Sequence, residues 1–172
     1  MRPEHAGAGQ GGTENAGTGQ GGLVARPFVA GDAAACLALF DSNTPQFFAP
    51  WERAEFERFL RELPAIGWPY LVLEGGGQVL ACGGLIPEPE TGSASLSWGM
   101  VARGHHAQGL GRQLTEARLA LARGLPGVSA LSLSTSQHVQ EFYARFGFEV
   151  TEIVADGFAP GLDRWEMRLA LV

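Results

Sequence analysis

Apolar residues recur along this chain with two periods, and each change of period marks a new element. Residues 23–30 form a short apolar segment that predicts a strand. It ends at Gly31-Asp32, where Asp32 is placed to cap a helix running to about Phe40. After turn residues at 41–45, Phe56, Phe59, Leu60 and Leu63 fall at i, i+3, i+4 and i+7, a single helical stripe across residues 52–63. Residues 70–74 and 78–85 are apolar runs joined by Gly75-Gly76-Gly77, which predicts a tight hairpin. Residues 93–101 then alternate small polar with larger side chains through Leu96, Trp98 and Met100, as a strand does.

From Gly109 the period lengthens. Leu110, Leu114, Ala117 and Leu121 share one helical face, with Arg112, Gln113, Glu116 and Arg118 outside it, until Gly124. Residues 128–135 return to period two, with Leu131, Leu133 and Thr135 opposite Ala130, Ser132 and Ser134. A short helix with Val139, Phe142, Tyr143 and Phe146 on one stripe stops at Gly147. Residues 148–154 and 163–171 close the chain as two strands, the last alternating Trp165, Met167 and Leu169 with Glu166, Arg168 and Ala170. This order predicts an α+β fold with a mixed sheet. The passage from strand 93–101 through a helix to strand 128–135 is a β-α-β crossover, so those two strands should run parallel.

Composition sets the frame. The 172 residues, 45% hydrophobic, suffice for one domain with a substantial core. Residues 1–22 are Gly-rich and lack any apolar side chain larger than Met1, so they are expected to be a flexible tail, with the folded domain at 23–172. The tail repeats Gly7-Ala8-Gly9-Gln10-Gly11-Gly12 as Gly17-Thr18-Gly19-Gln20-Gly21-Gly22, and both copies match G-x-G-x-x-G. Neither follows a strand or opens a helix, so low-complexity linker is the better reading. Cys36 and Cys82 sit in apolar surroundings as buried thiols. No apolar run approaches the roughly 18 residues of a membrane span and no secretory signal is present, so a cytoplasmic protein is expected. The net charge of -6 without a Lys/Arg cluster argues against a nucleic-acid surface and favours neutral or cationic small partners.

Candidate chemistry concentrates between Val101 and Arg112, where a strand passes into a helix. The first turn of a helix carries N–H groups without internal partners at the positive end of its dipole, so glycines there can seat a pyrophosphate. A tight strand-to-helix connection would also use glycines. Leu114 in place of a third glycine speaks against a dinucleotide fingerprint, and the missing Gly-Lys-Ser/Thr against a P-loop. The four histidines, among them His105, His106 and His138, show no metal-ligand spacing, and no metal is expected.

Residues 101–114 resemble the Arg/Gln-x-x-Gly-x-Gly/Ala signature of the GNAT N-acetyltransferases, and 142–148 resembles the family's Tyr-x-x-x-Gly-Phe helix end. His106 stands where the first motif residue is usually Arg or Gln, and Ser136 where many members have Asn. The resemblance implies a mostly antiparallel sheet flanked by helices, with a parallel pair splayed around acetyl-CoA. It implies that backbone groups of Met100 and Val101 pair with the pantetheine arm. The amides of His106, Ala107, Gln108, Gly109, Leu110, Gly111 and Arg112 would hold the pyrophosphate, with Arg112 adding charge and the Ser136 hydroxyl reaching the arm. It further implies direct attack on the thioester by a primary amine of a small molecule or peptide, and it leaves a homodimer open. A catalytically silent acetyl-CoA sensor is the alternative.

Tyr143 is the expected general acid, since a departing thiolate needs a proton and a phenol with a pKa of about 10 stays protonated at neutral pH. Its place on an apolar stripe fits core packing as well. No base is assigned: strand 93–101 has no carboxylate, and Glu74, His105, His138 and Glu141 are candidates by residue type alone. Phe47, Phe48 and Trp51 are candidates for an acceptor pocket or for ordinary packing.

Overall fold

The computed structural model describes residues 22–171. The expected tail at 1–22 therefore lies, except for Gly22, outside the described residues. The strands are β1 (Val24–Pro27), β2 (Tyr70–Gly75), β3 (Gln78–Glu88), β4 (Ser93–Val101), β5 (Ala130–Thr135), β6 (Glu149–Ala159) and β7 (Leu162–Ala170), and the helices are α1 (Ala33–Asn43), α2 (Glu52–Ile66), α3 (Leu110–Arg123) and α4 (Gln140–Ala144). They build one seven-stranded sheet in the order β1-β2-β3-β4-β5-β7-β6. Every neighbouring pair is antiparallel except β4 and β5, the parallel pair that the crossover through α3 requires. Among the described residues no helix is long and apolar enough to cross a membrane.

The two sheet faces bury different residues. Cys36, Phe40, Phe56 and Leu60 of α1 and α2 pack with Tyr70, Val72, Cys82, Trp98 and Met100. On the opposite face Leu110 and Leu114 of α3 meet Leu73, Ala81 and Val101. Leu119 and Tyr143 complete that face with Leu85, Leu96, Leu131, Leu133 and Met167. Cys36 and Cys82 are free, buried thiols; a hydrogen bond to Cys82 and then burial push the Cys36 thiol far above its ordinary range.

Four local expectations need correction. The hairpin turn is Gly76-Gly77 at φ 58° and 77°, the positive values a two-residue turn demands, whereas Gly75 is still paired with Gln78. Asp32 precedes α1, but its carboxylate accepts from the Arg26 guanidinium at 2.8 and 2.9 Å and from the Val29 amide at 2.9 Å instead of capping α1. Arg118, expected on the outer face of α3, is fully buried. Space for it exists because Gly83 and Gly99 oppose each other: a Cβ on Gly83 would lie 3.2 Å from the guanidinium. Finally, Leu96 does not share a face with Trp98 and Met100, because β4 is interrupted by a bulge.

Candidate functional site

The bulge follows from register. Cys82 faces Met100 and Gly84 faces Ser97, so on β3 Gly83 alone spans both Trp98 and Gly99. Two residues against one bend the bulged strand and raise its twist. Trp98 lies at φ 45°, a left-handed conformation that is costly for a large side chain and concentrates at functional sites. It is held from outside the strand: the Tyr70 hydroxyl donates to its carbonyl at 2.9 Å, and Phe56 packs against its ring with centroids 4.8 Å apart. Short of the bulge β4 already leaves β5. Their pairing covers only Ser93–Ser95 with Ala130–Ser132, and the carboxyl halves of both strands separate into a cleft.

At the mouth of that cleft a 3-10 turn, Arg103–His105, leads into α3. Ala107 and Gly109 take φ of 65° and 79° on either side of Gln108, which curls successive amides toward one point. The His105 and His106 amides are engaged with the carbonyls of Ala102 and Arg103, and the Gln113 amide bonds to Gly109. The amides of Ala107 to Arg112 have no acceptor among the described residues. Gly109 is needed for its positive φ. Gly111 is not: its φ is not positive, and a Cβ there would make only ordinary contacts with Phe142 at 3.6 Å and Val101 at 3.9 Å. Residues 101–112 also include Arg103 and Arg112 and no Asp or Glu, a local positive charge in an acidic chain. The Arg112 guanidinium is exposed and held by Glu116 at 2.7 Å, which raises its pKa further above the ordinary value.

Where the remaining predicted residues fall differs. Ala102 donates to the Leu80 carbonyl. By antiparallel alternation Met100 turns its amide and carbonyl to Cys82, and Val101 turns its own away from β3. Met100 therefore has no backbone group left for the cleft, and Val101 does. The Val101 carbonyl already accepts from Asn43 Nδ2 at 2.8 Å and meets His106 Nε2 at 3.0 Å, so its amide is the group available. His106 thus braces the cleft end of β4, with its ring 5.5 Å from that of Phe47. The Ser136 hydroxyl has no partner among the described residues, while its carbonyl accepts from Val139 and Gln140 as α4 begins. Tyr143 is fully buried on the α3 face, edge-on to Phe142 at 5.0 Å and to Phe148 at 5.8 Å.

On the α1–α2 face Phe48 and Trp98 are both buried in the core, their rings 6.2 Å apart. Trp51 is 69% exposed, so it does not wall a closed pocket. Of the candidate bases, Glu74 is tied to Arg26 at 2.7 Å, His138 is exposed just before α4 and Glu141 is exposed in its first turn. Sequence reasoning missed Asn43, whose amide also donates to the Leu39 carbonyl at 2.8 Å and so ties α1 to the end of β4. It also missed Gln137, which bonds the Gly161 carbonyl and the Asp163 amide and fastens the β6–β7 turn beside the cleft. The serines on β4 and β5 were visible as a polar alternation, but their pairing across strands was not.

A diphosphate joined to an extended amide-bearing arm fits this arrangement: unpaired amides converge where charge is positive, and a slot between strands continues from them. A family model described as acetyltransferase (GNAT) family matches residues 36–148. A solved structure from Desulfovibrio desulfuricans assigned to the GNAT family is 24% identical with a TM-score of 0.78, covering 88% of this chain and 100% of that one. Ribosomal-protein-alanine N-acetyltransferase from Brucella melitensis is 24% identical with a TM-score of 0.73, covering 86% and 99%. A Salmonella typhimurium protein described as an acetyltransferase, solved with its cofactor acetyl-CoA, is 20% identical with a TM-score of 0.74, covering 88% and 95%. These likenesses establish the fold. No curated protein matches this chain.

Proposed function

This chain belongs to the acetyltransferase (GNAT) family, whose members use acetyl-CoA, and from that membership we propose that it is an N-acetyltransferase acting on a primary amine of a small molecule or peptide. Acetyl-CoA supplies the activated acetyl thioester. The amides of Ala107 to Arg112 hold its diphosphate, with Arg112 adding charge. The Val101 amide and the Ser136 hydroxyl hold the arm, and the amine attacks the thioester carbonyl directly. Tyr143, on the α3 face where the arm enters, protonates the departing thiolate.

The observation that carries this reading is the run of unpaired amides at the start of α3, beside the one parallel strand pair that opens. A homodimer and a cytoplasmic location belong to the same proposal. The edge strand β6 with exposed Val150 and Ile153 suits the first, and two free buried thiols suit the second. The absence of a carboxylate on β4 favours one other reading, a silent acetyl-CoA sensor.

A thiol-release assay with acetyl-CoA and a panel of amines separates the two, because only an enzyme yields acceptor-dependent free CoA. Tyr143→Phe should lower kcat while leaving acetyl-CoA affinity unchanged. An unaltered kcat would remove Tyr143 from the role of acid.

A further inference from the structure

We propose that Glu166, reached through the Ser134 hydroxyl, receives the proton that the acceptor amine gives up. This inference rests on the acetyl-transfer reading and supplies the base that β4 lacks.

The two faces of the sheet divide the work. The unpaired amides, Val101 and Tyr143 lie on the α3 side, so an acceptor reaches a thioester held in the cleft from the other side. Before the bulge, Ala94 and Leu96 of β4 point into the α3-side core, and period two therefore turns Ser93, Ser95 and Ser97 to the acceptor side. On β5, Leu131 and Leu133 enter that same core, so Ser132 and Ser134 face the acceptor. On β7 the buried Met167 does the same, and Glu166 faces the acceptor.

The Ser95 and Ser132 hydroxyls, 3.0 Å apart, form the last closed rung between β4 and β5. Two residues further along each strand, Ser97 and Ser134 stand on the two lips of the opening. The Ser97 hydroxyl is buried and has no hydrogen-bond partner among the described residues. A buried hydroxyl is seldom left so, and it marks a place where a polar ligand atom completes the site. Ser134, fully buried, donates to Glu166 Oε2 at 2.7 Å and keeps its lone pairs for an incoming N–H. Glu166 Oε1 is 2.8 Å from Arg164 Nε, although that N–H is not aimed at it. Arg168 shares its strand face, and Glu152 and Glu149 stand across on β6, opposite Glu166 and Arg168.

The step balances. The amine nitrogen bonds to the thioester carbon, the C–S bond breaks, and its electron pair leaves on sulfur, which takes a proton from the acid on the α3 side. One N–H proton passes to Ser134 Oγ as the Ser134 proton passes to Glu166, which releases it to water. An acetyl thioester and an amine become an amide and a thiol.

Glu166→Gln keeps an acceptor for Ser134 but cannot take a proton. With an amine that the wild type acetylates, kcat should fall about 100-fold, KM for acetyl-CoA should hold, and the acidic limb of the kcat–pH profile should vanish. Ser134→Ala should fall likewise and Ser134→Thr should recover. If Glu166 only neutralised Arg164, the double variant Arg164→Gln/Glu166→Gln would regain activity, and that result overturns the relay. So does a folded Glu166→Gln that keeps both rate and acidic limb. Should Glu166→Gln fail to fold, an unchanged kcat in Ser134→Ala overturns it too. A wild type that releases no CoA with any amine overturns acetyl transfer itself, a separate failure.

Discussion

Replacing Asn43 by Asp changes one atom and reverses the electrostatics at the end of β4. The Asn43 amide nitrogen donates to the Leu39 and Val101 carbonyls at 2.8 Å each, and the residue is 2% exposed. A carboxylate in its place faces two acceptor oxygens, has almost no water, and sits at the negative end of the α1 dipole, so all three effects disfavour ionisation. If they raise its pKa by roughly 3 from an ordinary value near 3.9, the charged form costs about 4 kcal/mol at pH 7. The protonated acid can still donate one of the two hydrogen bonds, so a further loss of about 1 kcal/mol applies at every pH. The total of about 5 kcal/mol is a large share of a typical domain's stability and corresponds to a Tm lower by about 10–20 °C. A folded pKa above the unfolded one gives stability that is present below pH 3.9 and lost as pH rises toward the folded value. The gap between variant and wild type in denaturant unfolding should therefore widen by about 3 kcal/mol from about pH 4.5 to pH 7. Asn43→Ala, which adds no charge, should show a smaller deficit that is flat with pH. An Asn43→Asp deficit equal at the two pH values would refute the account of Asn43 as a buried donor between two carbonyls.

Gly84→Ala should cost about 1–3 kcal/mol in thermal unfolding, because its Cβ would run into the Pro69 carbonyl and the Tyr70 ring and lie 3.0 Å from Tyr70 Cα; a wild-type Tm would show that β2 and β3 can part there. Gly109→Ala meets no neighbouring atom but must hold φ 79°, so about 1 kcal/mol of strain is expected together with weaker acetyl-CoA binding by calorimetry; unaltered affinity would contradict the role given to that turn. Asp32 is held below the usual carboxylate range by its hydrogen bonds from Arg26, offset in part by desolvation and aided by the Val29 amide. Its contribution is present above the unfolded pKa and lost as pH falls through the folded one, so Asp32→Asn should flatten part of the acid limb of stability, measured by denaturant titration from about pH 6 to pH 3.

Most of the architecture was legible in the sequence because it depends on local periods. The strand and helix order, the parallel pair and the glycine-marked entry to α3 all follow from residues close in sequence. What escaped depends on partners far along the chain. Nothing near Trp98 announces a bulge, since the extra residue exists only relative to Gly83 on another strand. Arg118 looks like a solvent-facing arginine until Gly83 and Gly99 are brought together beneath it. Asn43 and Val101 are 58 positions apart and meet because α1 and β4 end at the same level. At the cleft, the motif indicated the whole loop from His106 onward, but hydrogen-bond accounting separates Ala107 to Arg112, whose amides have no acceptor, from His106, which is already engaged.

The phase change in β4 makes one strand answer to two interiors in series. Its first half presses Leu96 into the interior shared with Leu133, Tyr143 and Phe148, and its second half presses Met100 into that of Phe40, Phe56 and Leu60. A larger residue at 96 and one at 100 would therefore push on opposite sides of the molecule, and neighbouring substitutions four positions apart should act independently. Deleting Trp98 or Gly99 would remove the extra residue but leave Leu96 and Met100 three positions apart and still on opposite faces, so both interiors should survive while the local bend and added twist beside the gap where the two reactants are meant to meet are lost.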